Sequence, residues 1–302
     1  MTQTEKPETP EPLHWLQISL PGQPAEVVEE ALWAAGAVAV TLRDAADQPL
    51  LEPMPGATPL WDAVIVTGLF DNKQATAPLL AQLRQMLPEQ LVDQATTELL
   101  EDRAWVRAWM AHFQPLRCGQ RLWVCPSHQS VEQKDAVVIK LDPGLAFGTG
   151  SHPTTALCLR WLDQAKLQGK TVIDYGCGSG ILAVAAALLG AKEVWAVDID
   201  PQAIEATRSN AQRNGVGNII RYGQPETLPN SSTADIVIAN ILAGPLIELA
   251  PHILAQLRKP GELVLAGLLC EQVADVSAAY AQDIALQTFF TEQDWALLAG
   301  KQ

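Results

Sequence analysis

The chain has 302 residues, of which 48% are hydrophobic, enough to bury the core of one large domain or two modest ones. Its 34 acidic side chains against 20 basic ones leave a formal net charge of −14, so we do not expect binding to nucleic-acid phosphates that is independent of base sequence. The sequence contains no run of eighteen apolar residues and no signal-like apolar stretch, so we expect no membrane partner.

The five cysteines are scattered along the chain and include no C-x-x-C pair. An odd number at such spacing argues against a disulfide framework and against a zinc site. We therefore expect no metal, and a reducing, cytoplasmic location.

Residues 1–12, MTQTEKPETPEP, are polar and Pro-rich and predict a disordered tail. Residues 13–100 then repeat a strand-helix-strand pattern, first at HWLQISL, AEVVEEALWAAG and AVAVTLRD, and again at AVIVTGLF, ATAPLLAQLRQML and TTELLED. This pattern predicts a small α+β domain with a ferredoxin-like split β-α-β fold. Because it holds no catalytic motif, the domain is expected to bind a partner and not to perform chemistry.

Residues 101–116, EDRAWVRAWMAHFQPL, predict a linker helix that Pro115 ends. Trp105 and Trp109 stand four residues apart on one face of it, as residues that pack on a neighbour do.

From residue 117 to 302 apolar strands alternate with helices of ten to fifteen residues, which predicts an α/β domain with a mainly parallel, doubly wound sheet. Its predicted elements include one helix over PLIELAPHILAQL, residues 245–257, and another around residues 271–282. The closing segment LQTFFTEQDWALLAGK predicts an antiparallel hairpin, more typical of a methyltransferase sheet than of a dehydrogenase.

The first strand of this sheet runs into DYGCGSG, which contains Asp174, Gly176 and Gly178. Glycines at a strand-to-helix turn let a nucleotide-like ligand approach the backbone. The second strand ends in VDID, where an acid is placed to accept hydrogen bonds from ribose hydroxyls. Asp198 is the better candidate, because Asp200 precedes Pro201 and suits a helix N-cap.

The G-x-G-x-G spacing departs from the G-x-G-x-x-G of dinucleotide sites, and an acid two residues ahead would repel a phosphate. A ligand that carries an ammonium and a sulfonium fits better. The arrangement resembles the E/D-x-G-x-G-x-G motif of class I S-adenosylmethionine-dependent methyltransferases.

Asn240 ends the strand ADIVIAN and opens NILAG, which resembles a variant of the N-P-P-Y-like motif of amine and amide methyltransferases without its prolines and aromatic. A lysine ammonium, with a reference pKa of about 10.4, must lose a proton before it can attack a methyl group. The Asn240 amide oxygen, with a backbone carbonyl such as that of Ile241, is suited to accept the N–H bonds of the neutral amine, whereas a carboxylate would favour the ammonium. The alternative is a strand-end Asn that only makes a turn.

Residues 141–155, LDPGLAFGTGSHPTT, predict a loop beside the active site. Phe147 is suited to cover the cofactor, and Thr155 to donate a hydrogen bond to it. His152 is expected to be structural, because it lies beside Pro153 in a capping stretch, and bulk water can take the proton.

Together, LDPGLAFGTGSHPTT, VIDYGCGSGILA, AVDIDPQA, RNGV and ANILAGPL, with the W-x-x-x-W linker, resemble the ribosomal protein methyltransferase family that modifies large-subunit ribosomal protein eleven. The resemblance implies a Rossmann-like catalytic domain at 117–302, a substrate-recognition domain at 13–100, and trimethylation of lysine ε-amines and of the terminal α-amine. It also implies S-adenosylmethionine as cofactor, with the contact residues Thr155, Gly176, Asp198, Asn240, Asp174, Gly178 and Phe147, and Asn240 beside the acceptor amine.

A monomer without direct nucleic-acid contact is expected. Three alternatives stay open at the level of sequence: a methyltransferase that acts on another protein or on a nucleic acid, a nucleotide-dependent oxidoreductase, and a cofactor-binding scaffold without catalysis. The missing aromatic of the N-P-P-Y motif disfavours a planar base or glutamine amide as acceptor, because no ring is available there to stack on it.

Overall fold

A computed structural model describes residues 14–22, 24–46, 48, 59–71, 75–101, 114–142, 148, 150–228 and 234–302. The predicted tail at 1–12, most of the predicted linker helix and Phe147 lie outside these residues. The chain divides into two compact units, Met1–Ala108 and Trp109–Gln302. Among the described helices, none has the length and apolar content needed to span a bilayer.

The first unit is an antiparallel sheet with helices on one face. Its elements in chain order are β1 (His14–Pro21), α1 (Ala25–Ala34), β2 (Ala39–Asp44), β3 (Val64–Asp71), α2 (Thr76–Met86), α3 (Glu89–Val92) and β4 (Thr96–Glu101). The strand order is β2-β3-β1-β4 with every neighbouring pair antiparallel. This order confirms the ferredoxin-like prediction.

Alternation of apolar residues explains how this small core forms. Leu16, Ile18 and Leu20 on β1 are buried on one face of the sheet, and the period of two is that of a strand. Val28 and Leu32 are buried on α1 at helical spacing.

The second unit contains the large sheet. It begins with β5 (Leu116–Arg117), β6 (Leu122–Cys125), β7 (Val137–Lys140), α4 (Pro153–Gln164), β8 (Thr171–Tyr175), α5 (Ile181–Leu188), β9 (Glu193–Val197), α6 (Pro201–Arg213) and β10 (Ile220–Gly223). It continues with β11 (Ala234–Asn240), α7 (Ala243–Glu248), α8 (Ala250–Ala255), β12 (Leu257–Leu269), α9 (Val273–Tyr280), β13 (Gln287–Glu292) and β14 (Trp295–Lys301).

The seven strands are ordered β10-β9-β8-β11-β12-β14-β13. The pairs from β10 to β12 are parallel, and the β13-β14 hairpin is antiparallel. This confirms the Rossmann-like sheet with a carboxy-terminal hairpin. Strand β8 lies between β9 and β11, so the order reverses beside it, and in such sheets ligands bind at that reversal.

Two predicted features differ from the structure. The helix predicted at 245–257 is two short helices, α7 and α8, because Pro251 has no N–H to continue the first helix and its ring would clash with the carbonyl one turn back. The small sheet β5-β6-β7 was not predicted, although β6 (LWVC) and β7 (VVIK) are short runs of β-forming residues; β5 has only two residues and gives no such signal.

Candidate active site

The glycine motif forms the turn between β8 and α5. Gly176, Gly178 and Gly180 have φ angles of +77°, +53° and +75°, a region that residues with a side chain rarely adopt. A Cβ on Gly176 would lie 2.2 Å from Cγ2 of Ile241, so this glycine also allows the chain after β11 to approach. The N–H of Gly180 donates to the carbonyl of Cys177 at 2.7 Å and closes the turn. The predicted strand-glycine-helix turn is therefore present.

Helix α6 holds this turn in place. The Thr207 hydroxyl donates to the carbonyl of Gly178 at 3.0 Å, and Nδ2 of Asn210 donates to the carbonyl of Ser179 at 2.8 Å. Both side chains are buried. Two polar residues three apart on the inner face of a helix were an available sequence signal for this role, which was not predicted.

Asp198 follows β9 and lies beside the glycine turn. Its Oδ2 accepts the N–H of Gly178 at 2.9 Å, and its Oδ1 accepts the N–H of Asp200 at 3.0 Å. An ionised carboxylate has about four acceptor positions, so one remains on each oxygen, as two neighbouring ribose hydroxyls would require. Asp200 instead caps α6, where its Oδ1 accepts the N–H of Gln202 at 2.8 Å, which confirms its predicted N-cap role.

Asp174 is fully buried under the same turn. Its Oδ2 accepts the N–H of Ala183 at 2.9 Å, whereas its Oδ1 has no hydrogen-bond partner within the described part of the chain. Burial raises the pKa of Asp174 to about 7, the Ala183 hydrogen bond opposes that rise, and the charge of Asp198 adds to it. The charge of Asp198 disfavours a phosphate at this crevice, and a cation bound beside Asp174 would oppose the rise of its pKa.

Asn240 is the last residue of β11, and its amide is held on one side only. Its Nδ2 donates to Oγ1 of Thr155 at 3.3 Å, whereas its Oδ1 is buried and has no partner among the described residues. A buried acceptor without a donor costs about 1–3 kcal/mol, so this oxygen is suited to receive an N–H from a ligand. The carbonyl of Ile241, the second predicted acceptor, packs against Gly267 of β12.

The described ends of the predicted active-site loop reach this site. The Ser179 hydroxyl in the glycine motif donates to the carbonyl of Gly148 at 2.6 Å. A Cβ on Gly150 would lie 3.1 Å from Val124 and 3.3 Å from Ile181. The loop therefore ends against the glycine turn, and the cofactor contact of Phe147 stays a prediction.

His152 caps helix α4. Its Nδ1 accepts the N–H of Thr154 at 3.3 Å and lies 2.8 Å from the Thr154 hydroxyl, and its ring meets Trp295 edge to face at 5.0 Å. Burial lowers the pKa of His152, which favours the neutral imidazole that can accept these bonds. The predicted structural role of His152 is confirmed.

Asn214, from the quoted RNGV segment, has a structural role that the sequence analysis did not identify. Its Oδ1 accepts the N–H of Lys140 at 2.7 Å, and its Nδ2 donates to the carbonyl of the same residue at 2.8 Å. This pair of bonds joins α6 to the end of β7, immediately before the active-site loop.

The fold thus brings the predicted site residues to one edge of the sheet. Asp174, Asp198 and Asn240 stand at or near the carboxyl ends of the neighbouring strands β8, β9 and β11, and Gly176 and Gly178 lie between them. Thr155 joins them from α4. The described residues contain no cluster of His, Cys, Asp or Glu that could hold a metal ion.

The matching family model and two similar relatives carry the same description. The family described as "Ribosomal protein L11 methyltransferase (PrmA)" matches residues 14–302. The ribosomal protein L11 methyltransferase of Aeromonas hydrophila is 48% identical over 290 residues, which cover 95% of this chain and 99% of the relative. That of Pseudomonas putida is 49% identical over 291 residues, with coverage of 95% and 99%.

A solved structure, the ribosomal protein L11 methylase of Lactobacillus delbrueckii subsp. bulgaricus, is also similar. It is 32% identical with a TM-score of 0.57, and the match covers 62% of this chain and 98% of that one.

Proposed function

This chain belongs to the ribosomal protein L11 methyltransferase family, and on that premise we propose that it transfers methyl groups to amines of ribosomal protein L11. S-adenosylmethionine is the methyl donor of such an enzyme. The proposed acceptors are lysine ε-amines and the terminal α-amine, each carried to the trimethylated state. The observation that carries this proposal is the buried, unpaired Oδ1 of Asn240.

The residues at the strand ends fit this cofactor. Asp198 has an acceptor position left on each oxygen for the ribose hydroxyls. Gly176 and Gly178 hold the positive φ angles of the turn, and the acid Asp198 gives the crevice a negative potential that suits a sulfonium and an ammonium. When bound, S-adenosylmethionine supplies an electrophilic methyl group.

Asn240 selects the neutral form of the acceptor amine. In the first two transfers its amide oxygen accepts an N–H of the neutral amine and so directs the nitrogen lone pair away from itself, toward the cofactor side of the crevice. The neutral dimethylamine of the third transfer has no N–H, so this hydrogen bond does not act in that step. An amide carries no charge, so it does not stabilise the ammonium as a carboxylate would. The proton lost before attack passes to water, since His152 already uses Nδ1 to cap α4.

The test of this role is a pair of substitutions at one position. Asn240→Ala is expected to leave the melting temperature near that of the parent and to lower kcat by about 10- to 150-fold, the value of one hydrogen bond to a charged or charging group. Asn240→Asp is expected to shift the pH-rate profile to higher pH, because its carboxylate holds the acceptor as ammonium.

Both variants are assayed with ribosomal protein L11 and labelled S-adenosylmethionine. If both variants have the parental rate and the parental pH profile, Asn240 does not orient the acceptor amine and only makes a turn at the end of the strand.

We also propose that the amino-terminal domain recognises the substrate. Residues 14–101 carry twelve acidic side chains against three basic ones. A protein that binds ribosomal RNA needs basic side chains, so the charges are complementary and would speed the encounter. The linker predicted at 101–116 would let one bound substrate present several amines in turn.

Removal of this domain tests the division of labour. A chain that begins at residue 109 is expected to bind S-adenosylmethionine with parental Kd and to lose most of its kcat/KM for ribosomal protein L11. If the shortened chain methylates that protein with undiminished kcat/KM, recognition lies in the catalytic domain.

The remaining features of the proposal concern the state of the enzyme. We propose a cytoplasmic monomer without direct nucleic-acid contact, supported by its five free thiols and its charge of −14. Light scattering at about twice the chain mass of 32.6 kDa would contradict the monomer.

A further inference from the structure

Gly267 of β12 lies against the backbone of Ile241, the residue that follows Asn240. Asn240 pairs with Ala266 in the parallel part of the sheet, so Gly267 is the next residue along β12. A Cβ built on Gly267 would lie 2.8 Å from the carbonyl carbon and 3.0 Å from the amide nitrogen of Ile241, and closer still to its carbonyl oxygen. A side chain at position 267 would therefore displace the backbone of Ile241.

An irregularity in β12 creates this close approach. Between the pairs Leu265–Leu298 and Leu268–Ala296, β12 advances by three residues whereas β14 advances by two. The extra residue in β12 makes this a β-bulge, and Gly267 within it has a φ angle of +87°. The bulge places a residue without a side chain where β12 meets the end of β11.

Ile241 is confined from the other side as well. Its Cγ2 occupies the space that a Cβ on Gly176 would need, in the turn after β8. Strands β8 and β12 flank β11 on opposite sides. A backbone pushed away from Gly267 therefore cannot move toward β8 without pressing the Ile241 side chain on the glycine turn.

We propose that Gly267 is a positioning residue for methyl transfer that acts through Asn240, by leaving the space in which the backbone of Ile241 must lie. This inference rests on the proposed function. Asn240 and Ile241 share a peptide bond, so a shift of Ile241 also moves the buried, unpaired Oδ1 of Asn240. Hydrogen bonds weaken steeply with distance and angle, so a shift of about 1 Å removes most of the bond from this oxygen to the acceptor amine.

The three successive transfers differ in their need for this hydrogen bond. A neutral lysine amine has two N–H groups and the monomethylated amine has one, whereas the dimethylated amine has none. A displaced Oδ1 therefore slows the first two transfers and has much less effect on the third. General damage to the fold or to the cofactor site lowers all three rates by the same factor, so the ratio of the first rate to the third identifies the positioning role.

Gly267→Ala is tested on two substrates, unmodified ribosomal protein L11 and the same protein after reductive methylation, which converts its amines to dimethylamines. With substrate in excess over enzyme-bound, labelled S-adenosylmethionine, each enzyme makes one transfer. The rate on the unmodified protein is expected to fall at least about tenfold, as for one lost hydrogen bond to a charged or charging group. The rate on the dimethylated protein is expected to fall less than about threefold. Equal falls on both substrates, or no fall on either, would overturn the inference.

Gly169→Ala is the matched control for backbone strain. Gly169 also has a positive φ angle, +75°, but a Cβ there would meet no atom of the described residues within 4 Å. It precedes β8, at the opposite end of that strand from the glycine turn. This variant is expected to lose stability and to keep the parental ratio of the two rates.

Ile241→Ala reaches the same space from the β8 side without adding an atom. It removes Cγ2, so the backbone between Gly176 and Gly267 is held less tightly. The ratio of the two rates is expected to change in the same direction as in Gly267→Ala, but by less. If Gly267→Ala does not fold, this variant decides, and a parental ratio would overturn the inference.

A double-mutant cycle tests whether Gly267 acts through Asn240. In an Asn240→Ala background, Gly267→Ala should lower the rate on unmodified ribosomal protein L11 no further, because the group that it positions is absent. A further loss equal to that seen in the parent would show an independent role and overturn the inference. Failure of the parent to methylate ribosomal protein L11 would instead refute the proposed function.

Discussion

Substitution of Asp198 tests the cofactor site most directly, because the neighbouring Asp200 provides a matched control. Asp198→Ala removes both acceptor positions offered to the ribose and the two backbone bonds from Gly178 and Asp200 that orient the carboxylate. One hydrogen bond to a charged group contributes about 1.5–3 kcal/mol, so even a single lost ribose bond raises the Kd by about 10- to 150-fold. Loosening of the glycine turn adds to this loss.

Asp200→Ala removes an acid two residues away from Asp198 that caps a helix and is not assigned to the cofactor. Its side chain caps α6 through the N–H of Gln202 at 2.8 Å. Loss of an N-cap costs about 1 kcal/mol, which lowers the melting temperature by about 2–4 °C in a domain of this size. Because the cap does not face the ribose in this assignment, the Kd is expected to stay within about threefold of the parent, less than the loss of one hydrogen bond.

Titration calorimetry with S-adenosylmethionine and thermal melting of both variants measure these two effects separately. Asp198→Ala should change the Kd more than the melting temperature, and Asp200→Ala the reverse. Equal affinity of the parent and Asp198→Ala, or a larger loss in Asp200→Ala, would refute the assignment and move the ribose contact to Asp200.

Three further predictions concern stability. In denaturant titrations, Gly180→Ala should lower the free energy of unfolding by more than Gly215→Ala does. Both glycines have positive φ, but only at Gly180 would the new Cβ lie 2.5 Å from Thr207. Equal losses of free energy in the two variants would contradict this prediction. Asp174→Asn should stabilise the chain more at pH 8 than at pH 5. The folded parent holds the Asp174 proton up to a pKa of about 7, so the parent loses stability as the pH rises to that value, whereas Asn does not titrate. A pH-independent difference in melting temperature between the two proteins would contradict this prediction. Asn214→Ala should lower the free energy of unfolding by about 1–3 kcal/mol, because it leaves the N–H and carbonyl at the end of β7 without their partner, and an unchanged urea midpoint would contradict it.

Much of the fold was predictable because its elements have local signatures. The period-two alternation of β1 and the helical spacing of α1 each lie within one short segment, and both agree with the structure. Pro251 was an equally local signal that the helix at 245–257 must break, and the prediction overlooked it. The runs LWVC and VVIK were likewise local signals for β6 and β7 that the prediction overlooked, whereas β5, with two residues, offered none.

Sequence alone determined the parts of the site that depend on a single residue's backbone or on adjacent residues. Glycine readily adopts the positive φ of Gly176 and Gly178, which residues with a side chain rarely adopt, and an Asp before Pro201 is an N-cap by local chemistry, so these features could be derived from the chain. The tertiary structure decided which side chains meet across long separations. The Thr155–Asn240 bond spans 85 residues and the Asn214–Lys140 pair spans 74. The residues that flank a polar side chain in the sequence do not indicate which distant residue it will contact, so these pairs could not be predicted from the sequence.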